Sequence, residues 1–170
     1  RAVREGKPLI TRIVTVTGDA VMDPRNFQVR IGTNYHELIE EAGGFIMEPA
    51  RIVSGGPMMG FGIFDLDVPT TKTASALLCL SKDEVGQPSA CINCGRCVEA
   101  CPSRLVPTLL EKYARHYDTE AFVKRDGMEC CECGCCSYVC PAKRQLTQAI
   151  KSMRRMILAD RKKAKGGSKG

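Results

Sequence analysis

A chain of 170 residues and 18.6 kDa has room for one ordinary domain or two small ones. With 44% apolar and 26% charged residues it can build a core, which excludes wholesale disorder, and with 5% aromatics and no Trp that core must be aliphatic. The longest near-apolar run, Ala74 to Leu80, falls far short of the roughly 20 residues that a membrane span needs, and no secretory signal is present.

The net charge of +6 is unevenly spread: after Pro141 stand ten basic residues and one acid, Asp160, so the body of the chain is mildly acidic and the basicity belongs to its end. Solvation of that end is the simplest role; docking on anionic lipid headgroups or an acidic partner is the next, and nucleic acid is disfavoured because no recognition motif accompanies the charge.

From the N-terminus, Leu9 to Thr17 is rich in β-branched residues, and Phe27, Val29 and Ile31 alternate with polar neighbours as in half-buried strands. Gly18-Asp19 and Asp23-Pro24 supply turns between them. Asn34 can cap a short helix, Glu37 completes a capping box, and Gly43-Gly44 ends it, with Leu38, Ile39 and Ala42 on one face. Arg51 to Val53, Phe61 to Leu66 and Ala76 to Leu80 are further strand candidates. A hairpin, one helix and more strands is the order of a β-grasp fold. Ser81 to Ala90 reads as a linker. Beyond it, Thr108 to Tyr117 and Thr119 to Arg125 read as short helices, with Pro107 and Asp118 near their starts. A last helix is expected from about Gln145 to Ala159, with Leu146, Ile150, Met153 and Ile157 on one face. Ala164 to Gly170 is expected to be disordered.

Ten of the eleven Cys fall between Cys91 and Cys140. Cys91-x2-Cys94-x2-Cys97-x3-Cys101-Pro102 recurs further along as Cys130-x2-Cys133-x2-Cys136-x3-Cys140-Pro141, with Gly95 matched by Gly134. This is the run that holds [4Fe–4S] clusters. Three thiolates two residues apart wrap the chain around one cubane, and a central Gly permits the backbone angles of so tight a wrap. The fourth Cys lies about 6 Å further on, one helical turn, and in two-cluster proteins it ligates the other cluster. Cluster I is therefore assigned to Cys91, Cys94, Cys97 and Cys140, and cluster II to Cys130, Cys133, Cys136 and Cys101. The competing readings are structural zinc, which usually takes two separated pairs of ligands, and disulfides, which suit small secreted chains. Cys79, Cys131 and Cys135 are out of register and read as buried small residues or cluster neighbours. His36 and His116 have no ligand-spaced partner.

Nothing else in the sequence makes or breaks bonds. There is no Walker loop, no GxGxxG after a strand, no Ser/His/Asp set and no catalytic residue to name. Gly55-Gly56-Pro57-Met58-Met59-Gly60 lacks the Lys-Ser/Thr pair of a phosphate loop and reads as a turn between strands. The chain reads as an electron relay.

Taken together, Ile52-Val53-Ser54-Gly55-Gly56-Pro57-Met58-Met59-Gly60, Pro69-Thr70-Thr71-Lys72-Thr73, Cys91-Ile92-Asn93-Cys94-Gly95-Arg96-Cys97 and Glu132-Cys133-Gly134-Cys135-Cys136-Ser137-Tyr138-Val139-Cys140-Pro141-Ala142-Lys143 resemble the C-terminal part of the RnfC subunit of ion-translocating ferredoxin:NAD+ oxidoreductase (Rnf) complexes. The resemblance implies an α+β chain: a small β-grasp (SLBB-like) domain over residues 9–80, a linker over 81–90, an α-helical two-[4Fe–4S] ferredoxin-like domain over 91–145, and a basic C-terminal helix and tail over 146–170. Residues 1–8 would be the linker from a missing N-terminal domain that carries FMN and NADH; the first residue, Arg1, suits a fragment. It further implies a peripheral subunit on the cytoplasmic face of the cell membrane. The partners it implies are the other subunits of the complex and ferredoxin-type carriers. Related alternatives are the cobalamin reductase subunit of propanediol utilisation and a two-cluster subunit of heterodisulfide reductase type. A metal-stabilised interaction module, whose clusters only hold the fold, is the alternative from another class.

Overall fold

The computed structural model describes residues 2–82 and 86–166. The chain divides into two compact units at residues 84 and 85, each with its own core.

The first unit begins with a single helical turn, α1 (Ala2–Glu5). β1 (Thr11–Thr17) then pairs antiparallel with β2 (Arg25–Arg30), in the register Thr11↔Arg30 to Val16↔Arg25. The β-branched run puts Val14 and Val16 inward and leaves Ile13 exposed, the alternation of a half-buried strand. Leu9 and Ile10 are exposed and precede the strand, although the carbonyl of Ile10 still receives the N–H of Ile31 at 3.0 Å.

α2 (Tyr35–Glu41) starts at the expected capping box. The Asn34 side chain accepts from the His36 N–H at 3.0 Å, and Glu37 accepts from the Asn34 N–H at 3.1 Å. Gly43 and Gly44, both left-handed, close its C-terminus, the Gly44 N–H reaching the Ile39 carbonyl at 2.8 Å.

β3 (Arg51–Ser54), β4 (Phe61–Ile63) and β5 (Ala76–Leu80) complete a sheet in the order β2-β1-β5-β3-β4. Only β1 and β5 run parallel; this is the β-grasp arrangement, with β5 inserted at the centre. β4 is shorter than the expected Phe61 to Leu66. It is an edge strand, Phe64 turns wholly to solvent, and the Asp65 carboxylate draws the Asp67 N–H into a local turn at 2.8 Å. Val14, Val16, Val29, Leu38, Leu77 and Cys79 form the aliphatic core.

The second unit is helical: α3 (Arg96–Glu99), α4 (Pro107–Arg115), α5 (Thr119–Lys124), a 3-10 turn at Gly127–Glu129, α6 (Cys135–Tyr138) and α7 (Leu146–Gly166). Pro107 occupies the first turn of α4, and Asp118 caps α5 by accepting from the Ala121 N–H at 3.0 Å. α4 packs on α7 through Leu110, Ala114, Ile150, Met153 and Ile157, with Phe122 of α5 beneath them.

Disorder from Ala164 onward is corrected. α7 continues through Gly166, because Lys162, Lys163 and Ala164 are good helix formers and the first Gly pair comes only at 166–167. The rest of that expectation, residues 167–170, lies outside the described residues, as does the middle of the expected linker, residues 83–85.

Candidate metal centres

The second unit is an internal repeat in three dimensions. α6 follows α3, and α7 follows α4, at the same offset that separates Cys91 from Cys130. Left-handed backbone recurs at that offset too: Asn93 (φ 55°) and Glu132 (φ 57°), Gly95 (φ 77°) and Gly134 (φ 84°), Arg104 (φ 53°) and Lys143 (φ 52°). Non-Gly residues rarely adopt this conformation, so its recurrence at matched positions marks a backbone path imposed by the motif.

That path bends each Cys run around a hollow. Within the first three Cys of a motif, the residue two beyond the leading Cys turns its N–H back on the sulfur. Asn93 N–H meets Cys91 Sγ and Glu132 N–H meets Cys130 Sγ, both at 3.4 Å. The Leu105 N–H similarly meets Cys101 Sγ at 3.4 Å. Gly95 and Gly134 then start one helical turn each, which separates the third Cys from the fourth.

Two cavities result. Cys91, Cys94, Cys97 and Cys140 line one, with Arg96 and Arg144 in its wall. Cys101, Cys130, Cys133 and Cys136 line the other, with Leu105, Leu110 and Ile150 around them. Each cavity takes the three leading motif thiols of one run and the fourth of the other, and Cys131 also borders the second. All eleven Cys are free thiols, and among the described residues no three His, Cys, Asp or Glu side chains converge closely enough to hold a single metal ion.

Burial pushes the thiols of Cys97, Cys130 and Cys136 up. Hydrogen bonds oppose it: the Thr108 backbone lowers Cys97, the Glu132 backbone lowers Cys130, and the Thr147 hydroxyl, 3.3 Å from Cys136 Sγ, lowers Cys136. Thr108 and Thr147 occupy matched positions of the repeat and open α4 and α7. Sequence reading missed them; their shared place in the repeat was the available signal.

Charge is arranged behind the thiols. Glu111, 1% exposed on α4, pairs with both Arg115 and Arg144. Glu132 pairs with Arg154 and, at 3.7 Å, with Lys151. The remaining Cys lie apart from any such centre or beside it. Cys79 is fully buried in the β-grasp core, Cys131 is exposed at the rim of the second cavity, and half-buried Cys135 opens α6. His36 and His116 are exposed, and His36 faces Glu40 at 3.6 Å.

In the first unit, the Gly-rich segment forms a tight loop into β4, with no helix after it. The Gly60 N–H bonds the Gly56 carbonyl at 2.8 Å, and a Cβ on Gly60 would meet that oxygen at 2.6 Å. Ser54, leading the loop, hydrogen-bonds the buried Tyr35 hydroxyl at 2.8 Å. Met58, Met59, Phe61 and Thr71 line an open apolar groove beside it.

Residues 13–62 match the SLBB domain family, and residues 90–143 match the 4Fe-4S dicluster domain family. Over 160 residues, 93% of its length, the chain is 42% identical to the C subunit of the Na(+)-translocating ferredoxin:NAD(+) oxidoreductase complex of Acetobacterium woodii, covering 36% of that protein. The chain is homologous to the C subunits of ion-translocating ferredoxin:NAD(+) oxidoreductases. The C subunit of the proton-translocating complex of Clostridium ljungdahlii is 50% identical over 111 residues, 64% of the chain and 24% of that protein. The C subunit of an ion-translocating oxidoreductase complex of Yersinia pestis is 43% identical over 123 residues, 71% of the chain and 20% of that protein. The chain thus spans about a third or less of the length of these relatives. It is an α+β chain, an SLBB domain followed by a helical dicluster domain.

Proposed function

We propose that this chain is the electron-relay portion of such a C subunit, with both clusters in its second unit. Cys91, Cys94, Cys97 and Cys140 hold one [4Fe–4S] cluster (cluster I), and Cys130, Cys133, Cys136 and Cys101 hold the second (cluster II). The observation that carries this reading is the pair of cavities, each lined by one of these sets with its fourth thiol drawn from the other motif. The donor chemistry agrees: soft thiols line both cavities, and backbone N–H groups turn on their sulfurs.

When bound, each cluster supplies one-electron chemistry. The chain's own residues supply the rest. Because Cys97 and Cys101 serve different cavities, and Cys136 and Cys140 likewise, one helical turn of about 6 Å bridges the two centres at each motif. Half-buried Thr108 and Thr147 each contact the third thiol of their set, Cys97 and Cys136.

The division into residues 1–8, 9–80, 81–90, 91–145 and 146–170 follows the same reading. NADH and FMN are assigned to a domain preceding this chain, and the partners to the other subunits of an ion-translocating complex and its ferredoxin-type carriers. No helix among the described residues is long and apolar enough to cross a membrane, which accords with a peripheral subunit. We place it on the cytoplasmic face, with the basic end of α7 (Arg161, Lys162, Lys163) toward anionic lipid or an acidic partner.

The test is the anaerobically purified chain. It should contain about eight iron and eight sulfide and bleach reversibly with a low-potential reductant. A colourless zinc protein, or clusters that cannot be cycled, overturns the relay. Cys101→Ala should remove the EPR signal of cluster II while cluster I persists; loss of cluster I alone would overturn the crossed ligand sets.

A further inference from the structure

The two halves of the dicluster unit share a backbone but not a wall. Four positions after the last Cys of its motif, the first half has Leu105; at the matched position the second half has Arg144. Leu105 lines the cavity of cluster II, and Arg144 lines the cavity of cluster I.

Arg144 is not free to turn away. Its side chain is 19% exposed, and its Nη2 is bound to Oε2 of the buried Glu111. Glu111 Oε1 is bound to the Arg115 Nε, so the one carboxylate is shared between two guanidinium groups. The local sum is one positive charge. The Arg144 Nε–H is buried and finds no hydrogen-bond partner among the described residues. A buried donor left unpaired costs about 1–3 kcal/mol, so a native fold is expected to give it an acceptor. The acceptors of cluster I, its thiolate and sulfide sulfurs, belong to the cavity this residue walls.

Near cluster II the local charge is the same, because Arg154 and Lys151 share Glu132, but among the described residues no buried N–H is left unpaired there. Arg154, which acts electrostatically on Cys130, spends Nε and Nη2 on the Met128 carbonyl at 3.2 and 3.1 Å and Nη1 on Glu132. The neighbouring wall is Leu105, Pro107, Leu110 and Ile150. Arg96 also borders cluster I, but it is exposed and its charge is screened by water.

We propose that Arg144 is a positioning residue that sets the order of the two potentials. Its unpaired Nε–H, a donor that cluster II lacks, favours the reduced, more negative state of cluster I, so the electron at rest sits on cluster I and transfer from cluster II to cluster I is downhill. Hydrogen bonds to the sulfurs and nearby charge are established determinants of cluster potential. The proposal rests on the ligand sets of the proposed function.

The experiment is EPR-monitored redox titration of the full, anaerobically purified chain, with cluster I identified as the signal that Cys94→Ser removes. Arg144→Leu, which copies the other half, should keep both clusters by iron and sulfide content. Its one-electron equilibrium constant at cluster I should fall about tenfold, about 59 mV, while cluster II stays where it was. If Arg144→Leu fails to fold because Glu111 loses its partner, Arg144→Lys keeps that ion pair and deletes the Nε–H, and a lowered cluster I potential is still expected. Both clusters present with cluster I unmoved, or both potentials moved equally, overturns the proposal. Absence of clusters from the wild-type chain would instead defeat the ligand assignment itself.

Discussion

The two units of this chain are held together by different means. The β-grasp unit closes a continuous aliphatic core, in which Val14, Val16, Leu77 and Cys79 on adjacent central strands pack against Leu38 and Ile39 of α2. The dicluster unit has a core only where α4, α5 and α7 meet; the motif side of it holds Cys97, Cys136 and Leu146 and little else. Its irregular backbone, with six left-handed positions in two matched sets, is what a chain adopts when side-chain burial is too small to fix it and ligation does so instead. On the proposed reading, metal would be a folding component of the second unit and not of the first.

The largest expected effect follows from that contrast. Stripping iron with a chelator under mild oxidation should cost the second unit about 4 kcal/mol or more of apparent stability, because ligand binding to the native state alone stabilises it. Amide hydrogen exchange should then show protection collapsing in α3, α6 and the Cys loops while β1, β5 and α2 keep theirs. Equal loss in both units would erase the contrast.

A substitution in the first unit should produce the mirror image. Gly18 has φ 126°, and a Cβ there would lie 1.8 Å from the Cys79 carbonyl oxygen. Both the backbone angle and the space demand glycine. Gly18→Ala should destabilise the β-grasp unit by about 3 kcal/mol, by prying β5 from the turn that follows β1. Iron content and the visible spectrum should be unchanged. Loss of the clusters in this variant would mean that the units do not fold independently.

How much of this the sequence disclosed depended on the range of each interaction. The α2 capping box was legible because Asn34 and Glu37 sit three residues apart, and the β-grasp order was legible from strand alternation and the Gly pairs. The paired Cys runs were legible because motifs of this kind repeat at a fixed spacing, and the cavities they line are formed by the two runs together. Besides Thr108 and Thr147, three things were not. β4 ends at Ile63 because it is an edge strand with a single neighbour, a fact of topology that Phe64 and Leu66 do not signal. The continuation of α7 to Gly166 was masked by Gly and Lys composition, which resembles a tail. Arg144 escaped notice because its meaning comes from Glu111, 33 residues earlier on α4, and from comparison with Leu105 in the other half. Pattern finds what is local or periodic; an ion pair between segments far apart in the chain is neither.

The smallest effects sharpen the comparison through pH. The corner where β1 turns and β5 ends carries two groups displaced in opposite directions, each toward the form that the fold prefers. Burial pushes the Cys79 thiol up to about 11, whereas hydrogen bonds from the Ser81 hydroxyl and N–H hold the Asp19 carboxyl below its ordinary value. For Cys79, the folded state prefers the neutral thiol. Its contribution is intact below the unfolded thiol's pKa, near 8.5–9, and is lost as pH rises toward 11. For Asp19, the folded state prefers the carboxylate, so its contribution is present above the unfolded value near 4 and is lost as pH falls through the lowered one. The β-grasp unit should therefore show a stability plateau between these limits, read by exchange of its sheet amides in the full chain. Cys79→Ala should flatten the alkaline fall and Asp19→Asn the acid one, each without touching the other. If the proposed ligand sets hold, the dicluster unit should have no such plateau on the acid side: protons would compete with iron for the eight thiolates, so its stability should decline with falling pH in step with iron release. Coincident acid transitions in the two units, with iron retained, would show that carboxylates rather than thiolates govern both.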